Sequence, residues 1–287
     1  MPHGLDHIVH AVRDLDAAAA FYAGAGFTVG GRNRHPWGTH NRIVQLRNCY
    51  IEIVQVAEPE EIAPHGARSF SFGAFNRDFV ARREGFSMLL LNSRGAATDA
   101  RAFEAARIGG FDVFDFARDG MRPDGSIVKL AFSLAYAADP TSPDVRFAAC
   151  QHHFPENFWN PAFQVHANGA RSVKGVTLVA SNPAGHQAFL EAFTGAFVQS
   201  NMTGVIAHTG NGDVEILQPA AYLDEVGNTA GEIGSGMMLK ALRMIVDDIS
   251  QTEALHRRNG LVFSRHAGRI ALAPEAAHGA TLIFEKA

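Results

Sequence analysis

Leu5-Asp6-His7-Ile8-Val9-His10-Ala11-Val12 decides the reading of this chain, together with Asp14-Leu15-Asp16, Phe21-Tyr22 and Gly26-Phe27 behind it. The first stretch is an apolar run of strand length. The acidic residues suit the first turn of a helix, and the Gly suits its end, because glycine tolerates the left-handed backbone that stops one. A second apolar run, Cys49-Tyr50-Ile51-Glu52-Ile53-Val54, reads as the last strand of the unit. Each run carries a polar residue within it, His7 in one and Glu52 in the other. A lone buried carboxylate is costly unless something pairs with it. A divalent metal or a polar substrate would supply that pairing, so the two residues mark where a site is expected.

The plan of strand, helix, Gly and strand recurs four times. Further units begin with strands at residues 86–92, 176–180 and 239–246, followed by helices near 97–108, 183–194 and 250–258. Ser250 is the expected cap of the last helix, with Glu253 three residues on. Strand-like stretches follow each helix, among them 27–29, 43–46 and 50–56 in the first unit. The expected class is α+β, with four β-α-β-β-β modules. Residues 57–66 form an acidic, proline-containing linker. Residues 69–83 form an extra helix whose Phe72, Phe75 and Phe79 read as a core face. Residues 156–172 join two halves, so the expected domains are 1–172 and 173–287.

Composition narrows the function. With 287 residues and 47% hydrophobic side chains, the chain has length for one large core or two smaller ones. A formal charge of −4 without basic blocks argues against nucleic acid and anionic membranes as partners. No apolar run approaches the roughly 20 residues of a membrane span. The N-terminus lacks the basic and apolar regions of a secretory leader. Two cysteines, Cys49 and Cys150, make no disulfide framework and read as buried thiols. A cytoplasmic enzyme or binding protein is the expectation. No phosphate loop, catalytic triad or Cys-x-x-Cys site is present.

The residues quoted above, with Pro36-Trp37-Gly38-Thr39-His40-Asn41 and Tyr50-Ile51-Glu52-Ile53, resemble the vicinal oxygen chelate superfamily in its glyoxalase-like domain group. The match is good over about the first 56 residues and topologically consistent beyond them. The resemblance implies paired modules that form two cupped, incomplete β-barrels (the glyoxalase fold). It also implies a metal in the cup, held from the first and last strands of each module.

Carried over residue by residue, it puts His7 and Glu52 at the first module's ligand positions. In the second module the first-strand position falls at Met88, a poor donor for a hard or borderline ion. The last strand there offers Gln151 and His153 on the face taken as inward. The expected metal set is therefore His7, Glu52 and His153, two imidazoles and a carboxylate with open positions. The expected ion is Zn, Ni, Mn or Fe, with Glu52 also the catalytic proton carrier. Thr39, His40, Asn41, Met88 and Gln151 are the candidate substrate contacts; for His35 and His40, which flank a loop, a surface role is favoured over the entry of one of them into the cup. In the second half the His7 position falls at Gly175 and Arg243. Glu215 resembles Glu52 and forms with Arg243 an ion pair or an anion site. That half reads as a degenerate copy.

Because members of this superfamily differ in activity, fold does not fix function. The leading expectation is a metal-assisted isomerase or lyase acting on a small oxygenated substrate. The alternatives are a non-catalytic protein that sequesters an aromatic or drug-like molecule, and a ring-cleaving dioxygenase. A small-molecule partner is expected, and a homodimer is left open.

Overall fold

The computed structural model describes residues 2–121, 125–234 and 236–287. The first module runs through β1 (Leu5–Val12), α1 (Leu15–Gly24), β2 (Asn33–Arg34), β3 (Thr39–Gln45) and β4 (Tyr50–Val56). After α2 (Phe72–Arg82) comes the second, with β5 (Gly85–Asn92), α3 (Ala96–Ala105), β6 (Phe114–Met121), β7 (Ile127–Ala137) and β8 (Arg146–His152). A short α4 (Pro155–Phe158) leads to the third, with β9 (Ala170–Val179), α5 (Gln187–Thr194), β10 (Val198–Ser200), β11 (Gly204–His208) and β12 (Asp213–Leu217). Following α6 (Pro219–Val226), the fourth holds β13 (Met238–Val246), α7 (Ile249–Arg258), β14 (Ser264–His266), β15 (Arg269–Leu272) and β16 (Thr281–Lys286).

Two eight-stranded sheets result, ordered β2-β3-β4-β1-β5-β8-β7-β6 and β10-β11-β12-β9-β13-β16-β15-β14. In each, two modules meet through an antiparallel pair of first strands, β1 with β5 and β9 with β13. Within a module the first and last strands pair in parallel, which sets His7 opposite Tyr50 and Val9 opposite Glu52. This is the expected α+β architecture of two curled half-barrels.

The two faces of each sheet bury different cores. One continuous core takes Ile8 and Val12 of β1 together with helical residues Leu15, Tyr22, Phe103 and Phe193 and the second sheet's Val176 and Phe284. The opposite face of the first sheet carries Val9, Val54, Met88, Leu90 and Cys150, packed against Phe75 of α2. The same face of the second sheet is covered by Tyr222 and Val226 of α6. Among the described residues no helix is long and apolar enough to cross a membrane.

Local chemistry departs from expectation in places. Residues 27–29 form no strand. The cap of α7 is Asp248, whose side chain accepts from Ser250 N at 2.8 Å; Ser250 lies inside the first turn. Leu5 does not share the His7 face. A register shift between Leu5 and His7 turns Leu5 into the helix-side core, as a bulge does. The extra helix is present, capped by the Ser71 side chain; Phe75 and Phe79 are buried, whereas Phe72 lines a cavity.

Candidate active site in the N-terminal cup

Strand alternation fills the first cup. His7 on β1 and Tyr50 and Glu52 on β4 point inward from neighbouring strands; His7 stacks on Tyr50 with ring centroids 4.3 Å apart. Asn41 and Ile43 enter from β3, and Phe114, Phe116 and Arg118 from alternate positions of β6. His35 and Trp37 enter from the turn between β2 and β3, where His35 N donates to Thr39 O at 2.8 Å. Gly38 makes that turn with a φ of +78°, and a side chain there would strike the carbonyl of Glu58.

Glu52 is the hub. It is 7% exposed, and His7 and His35 are each 4% exposed. Asn41 Nδ2 donates to Glu52 Oε1 at 2.6 Å, while Asn33 Nδ2 donates to Asn41 Oδ1 at 3.0 Å and so fixes the amide's orientation. His7 Nε2 stands 3.8 Å from Glu52 Oε2, and His35 Nε2 stands 3.6 Å from Glu52 Oε1. Both separations exceed hydrogen-bond length.

The remote nitrogens are tied down. His7 Nδ1 donates to Asp6 Oδ1 at 2.5 Å. Because Asn41 Nδ2 donates to His35 Nε2 at 3.2 Å, the His35 ring proton sits on Nδ1 and goes to Thr39 Oγ1 at 2.9 Å. Burial pushes His35 down to about 4, against the opposing pull of Glu52, so the ring is neutral at pH 7. His35 Nε2 is therefore an acceptor, and so is His7 Nε2 in the tautomer that donates to Asp6 through Nδ1 alone. Each imidazole thus stands beside a different oxygen of Glu52, and the His35 Nε2 lone pair is met by Asn41.

Asp6 closes the base of the site. Burial alone would raise its carboxyl, but His152, whose Nε2 lies 3.1 Å from Oδ2, and His7 hold it well below the usual carboxylate range. Among the described residues, Asp6, His7 and Cys150 are the group of three whose ligand atoms all lie within 4.8 Å of one another. That group suits an ion less well. Ligand atoms about 2.1 Å from a common ion stand roughly 3 Å apart, and the 2.5 Å Asp6–His7 contact is a hydrogen bond. Burial and Asp6 also push the Cys150 thiol up, away from the thiolate a metal would take.

Eight aromatic side chains wall the cup: Trp37, Tyr50, Phe72, Phe114, Phe116, Phe132, Tyr136 and Phe158. The cavity offers about 50 Å³ to the centres of water molecules, room for roughly four waters. Leu90 and Leu134 leave the wall facing Glu52 apolar. Behind Asp6 and Cys150 lies a wider, more open groove of about 810 Å³, of mixed polarity, that includes His152, Arg47 and Arg94. The enclosed, aromatic cup with convergent polar groups is the better candidate for chemistry.

The structure brings His7, Glu52 and Asn41 together and places the other expected residues elsewhere. On β8 the inward residues are Ala148, Cys150 and His152, since Phe147 and Ala149 join the helix-side core. Gln151 therefore faces α3 and accepts from Ala96 N at 3.1 Å. His153 is exposed, with Nε2 2.7 Å from Ser133 Oγ, outside the cup. Met88 is buried, its sulfur 3.9 Å from Asn76 Nδ2, and Leu90 is the β5 residue lining the cavity. Thr39 supports His35 from behind, and His40 faces Arg32 and Glu58. Glu52 does not pair with Arg42, which is bound to Asp16. His35 was hidden by Pro36 and Gly38, which read as loop; the signal was the period-2 row Asn33, His35, Trp37, Thr39, Asn41.

In the second cup the Glu52-like residue is Glu215. Arg243 Nη1 donates to it at 2.9 Å, and Arg243 Nε donates to Glu285 Oε1 at 3.1 Å, so Arg243 forms a buried ion-pair network. Thr177 Oγ1 donates to Glu215 as well.

Comparison with known proteins agrees with this architecture. A family model described as a glyoxalase-like domain matches residues 5–194. The fold is similar to that of a hypothetical protein from Staphylococcus aureus, with a TM-score of 0.67, 13% identity and 99% of each chain covered. It is also similar to a mutant of 4-hydroxymandelate synthase from Streptomyces coelicolor, with a TM-score of 0.60, 12% identity, and 99% of this chain and 92% of that one covered. A xylose isomerase-like TIM barrel/4-hydroxyphenylpyruvate dioxygenase fusion protein matches with a TM-score of 0.52 and 14% identity, over 100% of this chain and 50% of that one. Such identities show shared fold alone. A search of curated proteins finds no match. The family match, spanning well over half the chain, and the two curled eight-stranded sheets establish that this protein belongs to the glyoxalase-like domain family, on the vicinal oxygen chelate fold.

Proposed function

We propose that the N-terminal cup is the active site of a metal-assisted isomerase or lyase acting on a small oxygenated substrate. The reading rests on Glu52, one oxygen of which lies 3.8 Å from His7 Nε2 and the other 3.6 Å from His35 Nε2. Asn41 Nδ2 serves both His35 Nε2 and Glu52 Oε1, so the acceptors left facing each other are His7 Nε2 and Glu52 Oε2, and a cation there would satisfy both. The outer nitrogens, held by Asp6 and Thr39, supply the second layer that orients histidine ligands. As donor types, two imidazoles and a carboxylate suit a divalent ion of the Zn, Ni, Mn or Fe type, with His35 Nε2 exchanging Asn41 for the ion. When bound, such an ion would act as a Lewis acid toward neighbouring substrate oxygens.

The chain's own residues do the rest. Asn41 holds Glu52 Oε1, and no donor among the described residues reaches Oε2. Oε2 is the oxygen placed to take or return a proton at the substrate. The apolar wall and aromatic ring exclude water, which strengthens the electrostatics inside.

Metal analysis of protein purified without chelator tests this reading. The expected result is one ion per chain, with His7→Ala and Glu52→Gln each losing at least about tenfold in affinity while remaining folded. Wild-type protein that takes up no ion even when the ions are supplied would end the metal reading. A ring-cleaving dioxygenase is the second reading, because two imidazoles and a carboxylate with open positions also suit Fe(II). Aerobic loss of activity restored by Fe(II) alone would favour it. Sequestration of a drug-sized ligand fits poorly, since such ligands occupy roughly 300 Å³ or more.

A further inference from the structure

Arg118 stands out among the polar residues of the cup because no acid among the described residues partners it. It occupies the third inward position of β6, after Phe114 and Phe116, while Asp115, Ala117 and Asp119 are exposed. No carboxylate lies within ion-pair distance of its guanidinium among the described residues. Its one hydrogen bond there is from Nη1 to the backbone oxygen of Asp119, at 3.2 Å. A guanidinium has five N–H donors in a planar fork that matches a carboxylate. Among the described residues most of that capacity is unspent, beside an aromatic-walled cavity.

The charge balance points the same way. This step rests on the metal reading above. Without an ion, Glu52 offsets Arg118 across the cup. With a divalent ion on His7, His35 and Glu52, the cup carries excess positive charge and Arg118 loses its counter-charge. An anionic ligand restores the balance. The space left, roughly four waters in volume, is walled by Trp37, Phe114, Phe116 and Phe132 and suits a flat apolar body of single-ring size.

We infer that Arg118 anchors the carboxylate of the substrate, and that the cup selects a small monocarboxylic acid with an apolar, ring-sized body. Arg118 would thereby set specificity and orient the ligand relative to Glu52.

Phenylacetate and its neutral counterpart phenylacetamide test this on Zn(II)-loaded protein. Binding is followed calorimetrically, and zinc content is measured on every preparation. Arg118→Gln should weaken phenylacetate at least tenfold and leave phenylacetamide and zinc content unchanged, with Arg118→Lys falling between. Equal loss for both ligands, unchanged phenylacetate binding in Arg118→Gln, or no millimolar binding of phenylacetate to wild type would overturn the inference. The two readings fail separately. Zinc bound with phenylacetate indifferent to Arg118 removes the anchor and keeps the metal. Arg118-dependent binding of phenylacetate to protein that takes no zinc removes the metal and keeps the anchor.

Discussion

At the residue scale, a side chain reveals itself in sequence when it breaks the rule of its surroundings. His7 and Glu52 do so, each a polar residue inside an apolar strand, and Asn41 beside them was legible as a polar residue next to a strand. His35 was not, because Pro36 and Gly38 masked its place in an alternating row. His153 was misplaced for a different reason. Alternation along β8 is readable, but its phase is fixed only by which neighbours join which core, and Cys150 and His152 take the inward positions. The contrast makes a prediction. His35→Ala should weaken metal binding at least about tenfold, whereas His153→Ala should leave affinity and stoichiometry unchanged, both measured by competition against a chelating dye. Equal loss in both variants would sink the assignment of His35.

At the element scale, the strand and helix order was readable from apolar runs, acidic helix starts and terminal glycines. The bulge beside Leu5 was not, since a register shift depends on the partner strand. Nor did the sequence reveal what fills the second cup. There Arg243 of β13 bridges Glu215 of β12 and Glu285 of β16, and Tyr222 of α6 donates to Thr281 Oγ1 at 3.0 Å. Burial raises the Glu215 carboxyl, and Arg243 and Thr177 counter it. Removing the arginine leaves Glu215 buried without its cation, while Glu285 keeps Arg269 at 2.9 Å. Arg243→Ala should cost about 3–5 kcal/mol in equilibrium urea denaturation, and metal binding in the first cup should survive in the folded fraction. A cost below about 1 kcal/mol would mean that the network contributes no more than a surface pair.

At the scale of the whole molecule, four modules were legible but the seam between the halves was not, because long-range polar contacts leave no local pattern. Asn211 of the second half holds both backbone groups of Leu5, accepting from its N–H at 2.5 Å and donating to its carbonyl at 3.0 Å. This fixes the start of β1, the strand that carries Asp6 and His7. Five residues along, His10 Nε2 donates to the His278 carbonyl at 2.9 Å, and Nδ1 accepts from the Tyr22 hydroxyl at 2.8 Å. Burial pushes His10 down to about 4, while the unfolded ring titrates near 6.5. The unfolded chain therefore binds the extra proton first as pH falls. The neutral ring's contribution is complete above about pH 6.5 and is lost progressively between about 6.5 and 4, up to on the order of 3 kcal/mol. Urea denaturation at pH 7 and pH 4.5 should show a smaller acid loss in His10→Gln than in wild type. Identical losses would exclude His10 as a source.

The central claim, a cation among His7, His35 and Glu52, is tested most directly by anomalous diffraction from crystals grown with Zn(II) or Mn(II). An anomalous peak within bonding distance, about 2.0–2.2 Å, of both Nε2 atoms and a Glu52 oxygen is the predicted result. A peak at Asp6 and Cys150 instead, or none in the cup of a well-ordered crystal, would contradict it.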